Sequence, residues 1–235
     1  MNEQIENTLL QNLRRVRGRI ADAATQSGRS ELDVTLVGVT KYVDAEMAAL
    51  LAQVGCLDLG ESRPQELWSK ATAIEDTNIV WHQVGHLQTN KVTRTLEYAA
   101  VIHSVDSLRL AEAIDQAAGD KKLKTKILLE VNVSGESAKQ GFDADELRNN
   151  IVEINELPNI NLVGLMCMAG LGLDEQQTRG QFSMLRELRD ELAARLDEPS
   201  AFCELSMGMS GDFEWAIAEG ATIVRIGSIL YEGLL

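Results

Sequence analysis

Ile223-Val224-Arg225-Ile226-Gly227 is a short β-branched run with one charge at its centre. Side chains alternate across a strand, so Val224 and Ile226 share a face suited to packing against helices, and Arg225 takes the other. That turns Arg225 toward a barrel interior. An unpaired guanidinium there costs several kcal/mol, so a counter-group or a ligand must face it. Ile127-Leu128-Leu129-Glu130-Val131-Asn132-Val133 has the same alternation and sends Glu130 and Asn132 inward. An Arg225–Glu130 pair and a bound ligand both satisfy the constraint, and the two strands alone leave both open.

Six further runs extend the pattern: Val34 to Thr40, Leu57 to Gly60, Val80 to Gly85, Val101 to Val105, Leu162 to Met168 and Glu204 to Met207. The fifth strand is expected over Lys126 to Val133 and the eighth over Ile223 to Ile226. Helical periodicity falls between them at Ala45 to Gln53, Ser107 to Ala118, Asp143 to Glu156, Asp174 to Leu196 and Gly211 to Glu219. Alternating strands and helices imply a parallel sheet, and eight strands with intervening helices imply a single α/β domain over residues 1–235, a (β/α)8 barrel of the TIM type. An extra amphipathic N-terminal helix, Ile5 to Gln26, precedes the first strand and is expected to plug or flank the barrel, with a left-handed cap near Gly28.

Composition agrees with one core. With 45% apolar residues in 235, the chain can bury roughly 70% of its unfolded surface. A net charge of −14 repels phosphate backbones and anionic headgroups, which argues against nucleic acid or a membrane surface as partner. No apolar run approaches the ~18 residues of a spanning helix, and the polar, acidic start Met1 to Asn7 is unlike a signal peptide, so a cytoplasmic location is expected. Cys56, Cys167 and Cys203 lack disulfide or zinc-site spacing and are expected to be buried, reduced thiols.

Lys41 shares a face with Val37 and Val39 and ends the first strand on the side where barrel active sites lie. Ser206-Met207-Gly208-Met209-Ser210-Gly211-Asp212 runs from the seventh strand into a helix with Ser210 read as its N-cap, and Gly227-Ser228 makes a matching turn after the eighth. Loops after the last two strands are where barrels hold phosphate, helped by free backbone N–H groups. A strand-end amine, an inward cation and a phosphate turn describe a phosphate-bearing carbonyl ligand held at three points. Pyridoxal 5′-phosphate (PLP) fits. His82 and His86 share a strand face but lie too far apart for one metal ion at about 7 Å per two residues, and no metal is expected.

Together with Leu36-Val37-Gly38-Val39-Thr40-Lys41, Leu59-Gly60-Glu61, Trp81 to Lys91, Ser104 to Ser107, Val131-Asn132-Val133-Ser134-Gly135-Glu136, Gly164-Leu165-Met166, Leu205 to Phe213 and Val224 to Ser228, these segments resemble the pyridoxal phosphate homeostasis proteins, the proline synthase co-transcribed type with an alanine-racemase-like N-terminal domain. The resemblance implies a fold-type III PLP barrel with the cofactor as a Schiff base on Lys41 and Arg225 near its ring. It implies Ser206, Ser210, Gly227 and Ser228 around the phosphate, and Ser62, His86, Met207 and Gly211 among the other cofactor contacts. The chain departs from the family in having Ser62 where Asn is usual, Ser228 where Thr is usual, and Tyr42-Val43 after the lysine.

A racemase of this type needs a second base, typically a tyrosine from an additional β-domain, and the stretch after Gly227 is too short to build one. A permanent cation beside the ring also weakens it as an electron sink. The expected role is therefore PLP carrier or homeostasis protein, monomeric and with PLP-dependent apoenzymes as recipients, and no firm catalytic residue. A slow or specialised amino-acid racemase is the competing expectation.

Overall fold

The register between the first and last strands closes the ring: Thr35 lies beside Ile223, Val37 beside Arg225 and Gly38 beside Ile226. The computed structural model describes residues 2–134 and 140–235. Gly135 and Glu136 of the family-like segment lie outside the described residues. Strands β1 (Thr35–Val39), β2 (Asp58–Glu61), β3 (Val80–Gln83), β4 (Ala99–Val105), β5 (Thr125–Glu130), β6 (Ile160–Met166), β7 (Glu204–Ser206) and β8 (Ile223–Ile226) pair in chain order as a closed parallel barrel. The α/β barrel expected from the sequence is the observed fold, and every strand lies where the alternation placed it.

Helices α1 (Asn2–Gln26), α2 (Ala45–Gln53), α3 (Pro64–Ala73), α4 (Val92–Thr95), α5 (Leu108–Asp120), α6 (Ala144–Asn155), α7 (Glu175–Ala193) and α8 (Phe213–Ala218) surround it. Side-chain caps start several of them: Asp44, Ser107, Asp143 and Asp174 each accept from the backbone of the first turn. The extra helix flanks the barrel and does not plug it. Leu9, Leu13 and Val16 on α1 join the outer core, Gly28 ends it at φ +71°, and Asn12 donates to the carbonyls of Leu230 and Glu232.

Several boundaries differ from the sequence reading. β5 stops at Glu130 and not Val133, because Asn132 Oδ1 accepts from both the backbone and the hydroxyl of Ser134 and turns the chain out of the ladder. α8 starts at Phe213 with Asp212 before it, so Ser210 is no N-cap. Gly208 at φ +93° turns the chain, and Asp212 Oδ1 takes the Met209 N–H at 2.6 Å, which releases Ser210 for another partner.

The core has two compartments. A large outer layer packs strands against helices, and a small one, Val37, Val84, Val101, Leu128, Met166 and Ile223, fills the lumen. Gly164 has no room for a side chain, since a Cβ there would enter the backbone of Glu204 on the neighbouring strand. We expect Gly164→Ala to cost ~1–3 kcal/mol by overpacking, read as a lowered thermal midpoint. Cys203 is exposed, correcting the expectation that all three thiols are buried, whereas Cys56 and Cys167 are buried and burial pushes both up to about 12. In the folded protein at pH 8, a thiol reagent should label Cys203 alone, and all three cysteines after denaturation.

Candidate ligand site at the C-terminal mouth of the barrel

Thr40 directly follows β1, and its surroundings fix where the chain delivers Lys41. Its N–H donates to Gly60 O (2.9 Å) and its hydroxyl to Glu61 Oε1 (2.7 Å). The carbonyl of Thr40 accepts from Lys70 Nζ of α3 at 2.8 Å, and Lys70 is also ion-paired to Glu61. Both members of that pair are buried. Ser62 follows directly: its N–H donates to Glu61 Oε2, and its carbonyl accepts from Gln83 Nε2. Gly85 permits this approach, because a Cβ there would collide with the Ser62 backbone. Beyond the knot, Lys41 is exposed, its Nζ 4.8 Å from the centre of the Tyr42 ring.

Across the mouth, Arg225 is 5% exposed and points into the lumen as the alternation required. The Arg225–Glu130 pair left open by the sequence does not form. Arg225 instead donates to Ser206 Oγ (2.7 Å) and to Cys167 O (2.9 Å), both neutral acceptors. Burial lowers its pKa, and burial with the nearby Asp106 charge raises that of Glu130. Among the described residues Arg225 has no contact ion pair, and Glu130 and Asp212 act on it only from a distance. The turns after β7 and β8 meet above it, where Ser210 Oγ accepts the Gly227 N–H at 3.2 Å.

These elements surround a pocket of about 280 Å³. Of the residues named from the sequence, Lys41, Ser62, Ser210, Gly211, Arg225, Gly227 and Ser228 line it. Ser206 lies beneath, under Arg225, and the Met207 side chain is buried in the outer layer. His86 stands outside the pocket and pairs with Asp106 at 3.2 Å, while His82 is buried in the lumen. Val39, Tyr42, Val84, Met168 and Met209 complete the lining. Val39 was already legible as sharing the face of Lys41. Met168 falls inside the sixth strand expected from the sequence, but β6 ends at Met166 and Met168 turns to the pocket; Met209 lies in the turn after β7, where alternation does not say which way a side chain points.

The residues present fit PLP. The volume is near the lower end of the ~300–1,000 Å³ range of small-molecule sites, which suits a single ring with a phosphate. An amine, a buried cation without a contact ion pair, three serine hydroxyls and two glycines supply the donors such a ligand requires.

A parallel barrel carrying a strand-end lysine and a phosphate turn after its last two strands is the arrangement of the fold-type III PLP class. The family model described as "Alanine racemase, N-terminal domain" matches residues 9–234. The pyridoxal phosphate homeostasis protein of Aquifex aeolicus is 40% identical over 94% of this chain and 96% of its own, and that of Pseudomonas aeruginosa is 35% identical over 96% and 95%. The structure of PipY from Synechococcus elongatus with PLP bound superposes with a TM-score of 0.81 at 34% identity, covering 90% of this chain and 99% of that one. The chain belongs to the alanine racemase N-terminal domain family, and within it to the pyridoxal phosphate homeostasis proteins.

Breaking the Glu61–Lys70 pair from one side leaves a buried charge. Lys70→Met should cost about 3–5 kcal/mol in urea unfolding, and Glu61→Gln with Lys70→Met should cost less than the sum of the single changes.

Proposed function

We propose that this chain binds PLP as a Schiff base on Lys41 and acts in intracellular PLP homeostasis, holding and delivering the cofactor. The observation that carries this reading is Arg225, a buried guanidinium facing the mouth with neutral acceptors only, beneath a lysine and paired glycine–serine turns. The cofactor supplies an aldehyde that reacts reversibly with amines and a ring that accepts electrons. Lys41 is the amine anchor. Ser210, Gly211, Gly227 and Ser228 would hold the phosphate through hydroxyl and backbone donors, with Ser62 also in the wall and Ser206 beneath; the Met207 side chain, packed in the outer layer, would not touch it. His86 stands outside the pocket, paired with Asp106, and takes no part in this reading. Arg225 donates and does not accept, so a ring nitrogen set against it stays unprotonated and the ring draws electrons poorly. That favours storage over catalysis.

The finer picture is one domain over residues 1–235, a monomer in the cytoplasm, with PLP-dependent apoenzymes as recipients. Among the described residues no helix is long and apolar enough to cross a membrane. Purified protein mixed with PLP should develop a visible absorbance band that borohydride fixes onto Lys41, as peptide mass spectrometry would show. Lys41→Ala should lose the band; retention of the whole band at unchanged affinity would rule out the anchor. Rapid exchange of amino-acid α-protons with solvent deuterium would favour a racemase over the carrier.

A further inference from the structure

The lumen is crossed by a file of polar side chains that the ligand site alone does not explain. Asp58, the first residue of β2, has its side chain 35% exposed at the N-terminal end of the barrel and lies 3.0 Å from His82 Nε2. His82 Nδ1 lies 2.9 Å from His103 Nε2, and the two rings meet edge to face at 63°. His103 Nδ1 lies 2.8 Å from Ser206 Oγ, which accepts from Arg225. The file steps along β2, β3 and β4, crosses the lumen to β7 and ends on β8. His82, His103 and Ser206 are all buried. Barrels of this kind usually fill the interior with branched apolar side chains, and buried polar groups are costly unless every one is satisfied.

The two ends fix the direction of every bond between them. A guanidinium only donates, and an ionised carboxylate only accepts. A neutral imidazole has one donor and one acceptor nitrogen. With both rings neutral, one arrangement satisfies all groups. Ser206 accepts from Arg225 and donates to His103 Nδ1, His103 Nε2–H donates to His82 Nδ1, and His82 Nε2–H donates to Asp58. Bonds aligned from cation to anion polarise one another. In the reverse arrangement His103 donates to Ser206 and His82 must carry two protons to face Asp58, which adds a second positive charge to the lumen. Burial, with His82 and Arg225 nearby, also holds His103 well below the usual imidazole range and hence neutral.

We propose that Asp58, His82 and His103 are positioning residues, a one-way hydrogen-bond file that keeps the Ser206 hydroxyl an acceptor toward Arg225 and so fixes the guanidinium under the pocket. The hydroxyl of Ser206 cannot rotate away, because its proton is committed to His103. Service of that guanidinium to PLP rests on the function proposed above; the file itself does not.

Two measurements decide it. In ligand-free, 15N-labelled protein, imidazole nitrogen spectra should show His82 and His103 both neutral with the proton on Nε2; a proton on Nδ1 of His103, or a charged ring, overturns the file. PLP titration followed by absorbance forms the second arm. His103→Leu removes the acceptor for Ser206 and should weaken affinity about 3- to 10-fold, the range expected for one hydrogen bond. His103→Asn returns an acceptor on the Nδ1 side and should recover affinity to within about 2-fold. Unchanged affinity in His103→Leu, or equal loss in both variants, overturns the positioning role. If His103→Leu does not fold, the tautomer spectra still decide. Failure of wild-type protein to take up PLP would overturn the proposed cofactor, while the spectra would still judge the file.

Discussion

Closure of the barrel through β1 and β8 is the constraint on which the site depends. Parallel neighbours keep their ends level, so setting Val37 beside Arg225 carries Lys41 and the Gly227–Ser228 turn to the same rim from opposite ends of the sequence. Slipping the pairing by one residue would reverse every side chain and put Arg225 among the helices. Register therefore sets the chemistry as well as the packing, and the lumen-facing Val37 and Ile223 against the outward Val224 and Ile226 enforce it.

Two buried cations within this frame are handled in opposite ways. Lys70 is matched by Glu61 and by the Thr40 carbonyl, an arrangement that contributes little net stability but allows one backbone path into Lys41. Arg225 meets only a hydroxyl and a carbonyl. The first cation is matched in direct contact; the second faces its carboxylates, Glu130 and Asp212, only from a distance.

Alternation made much of this legible. It located eight strands, turned Arg225 and Glu130 inward, and set Lys41 at the productive end, because each inference needs only neighbours along one strand. It said less where partners come from elsewhere in the chain. The spacing of His82 and His86 raised and dismissed a metal, yet the partners of His82 are Asp58 and His103 on adjoining strands. Ser210 resembles a cap locally, but Asp212 closes the turn and Ser210 faces Gly227. α3 and α4 gave no strong period: α3 begins at Pro64 and buries Lys70 among apolar neighbours, and α4 is a single turn. Glu61 was noted only as part of a motif, since nothing local reveals that Lys70 will reach it.

Asn12, through its two bonds to the carbonyls of Leu230 and Glu232, clips the first helix to the turn that carries Ser228. Order of assembly follows from that clip. β1 and β8 are far apart in sequence, and such distant pairings form late because loop-closure entropy must be overcome first. During synthesis the amine of Lys41 emerges long before the turns that complete its pocket, and α1 waits for the C-terminal turn to occupy its groove. Capture of a ligand thus marks a finished chain, and mass action then favours the closed ring over its partly made precursors.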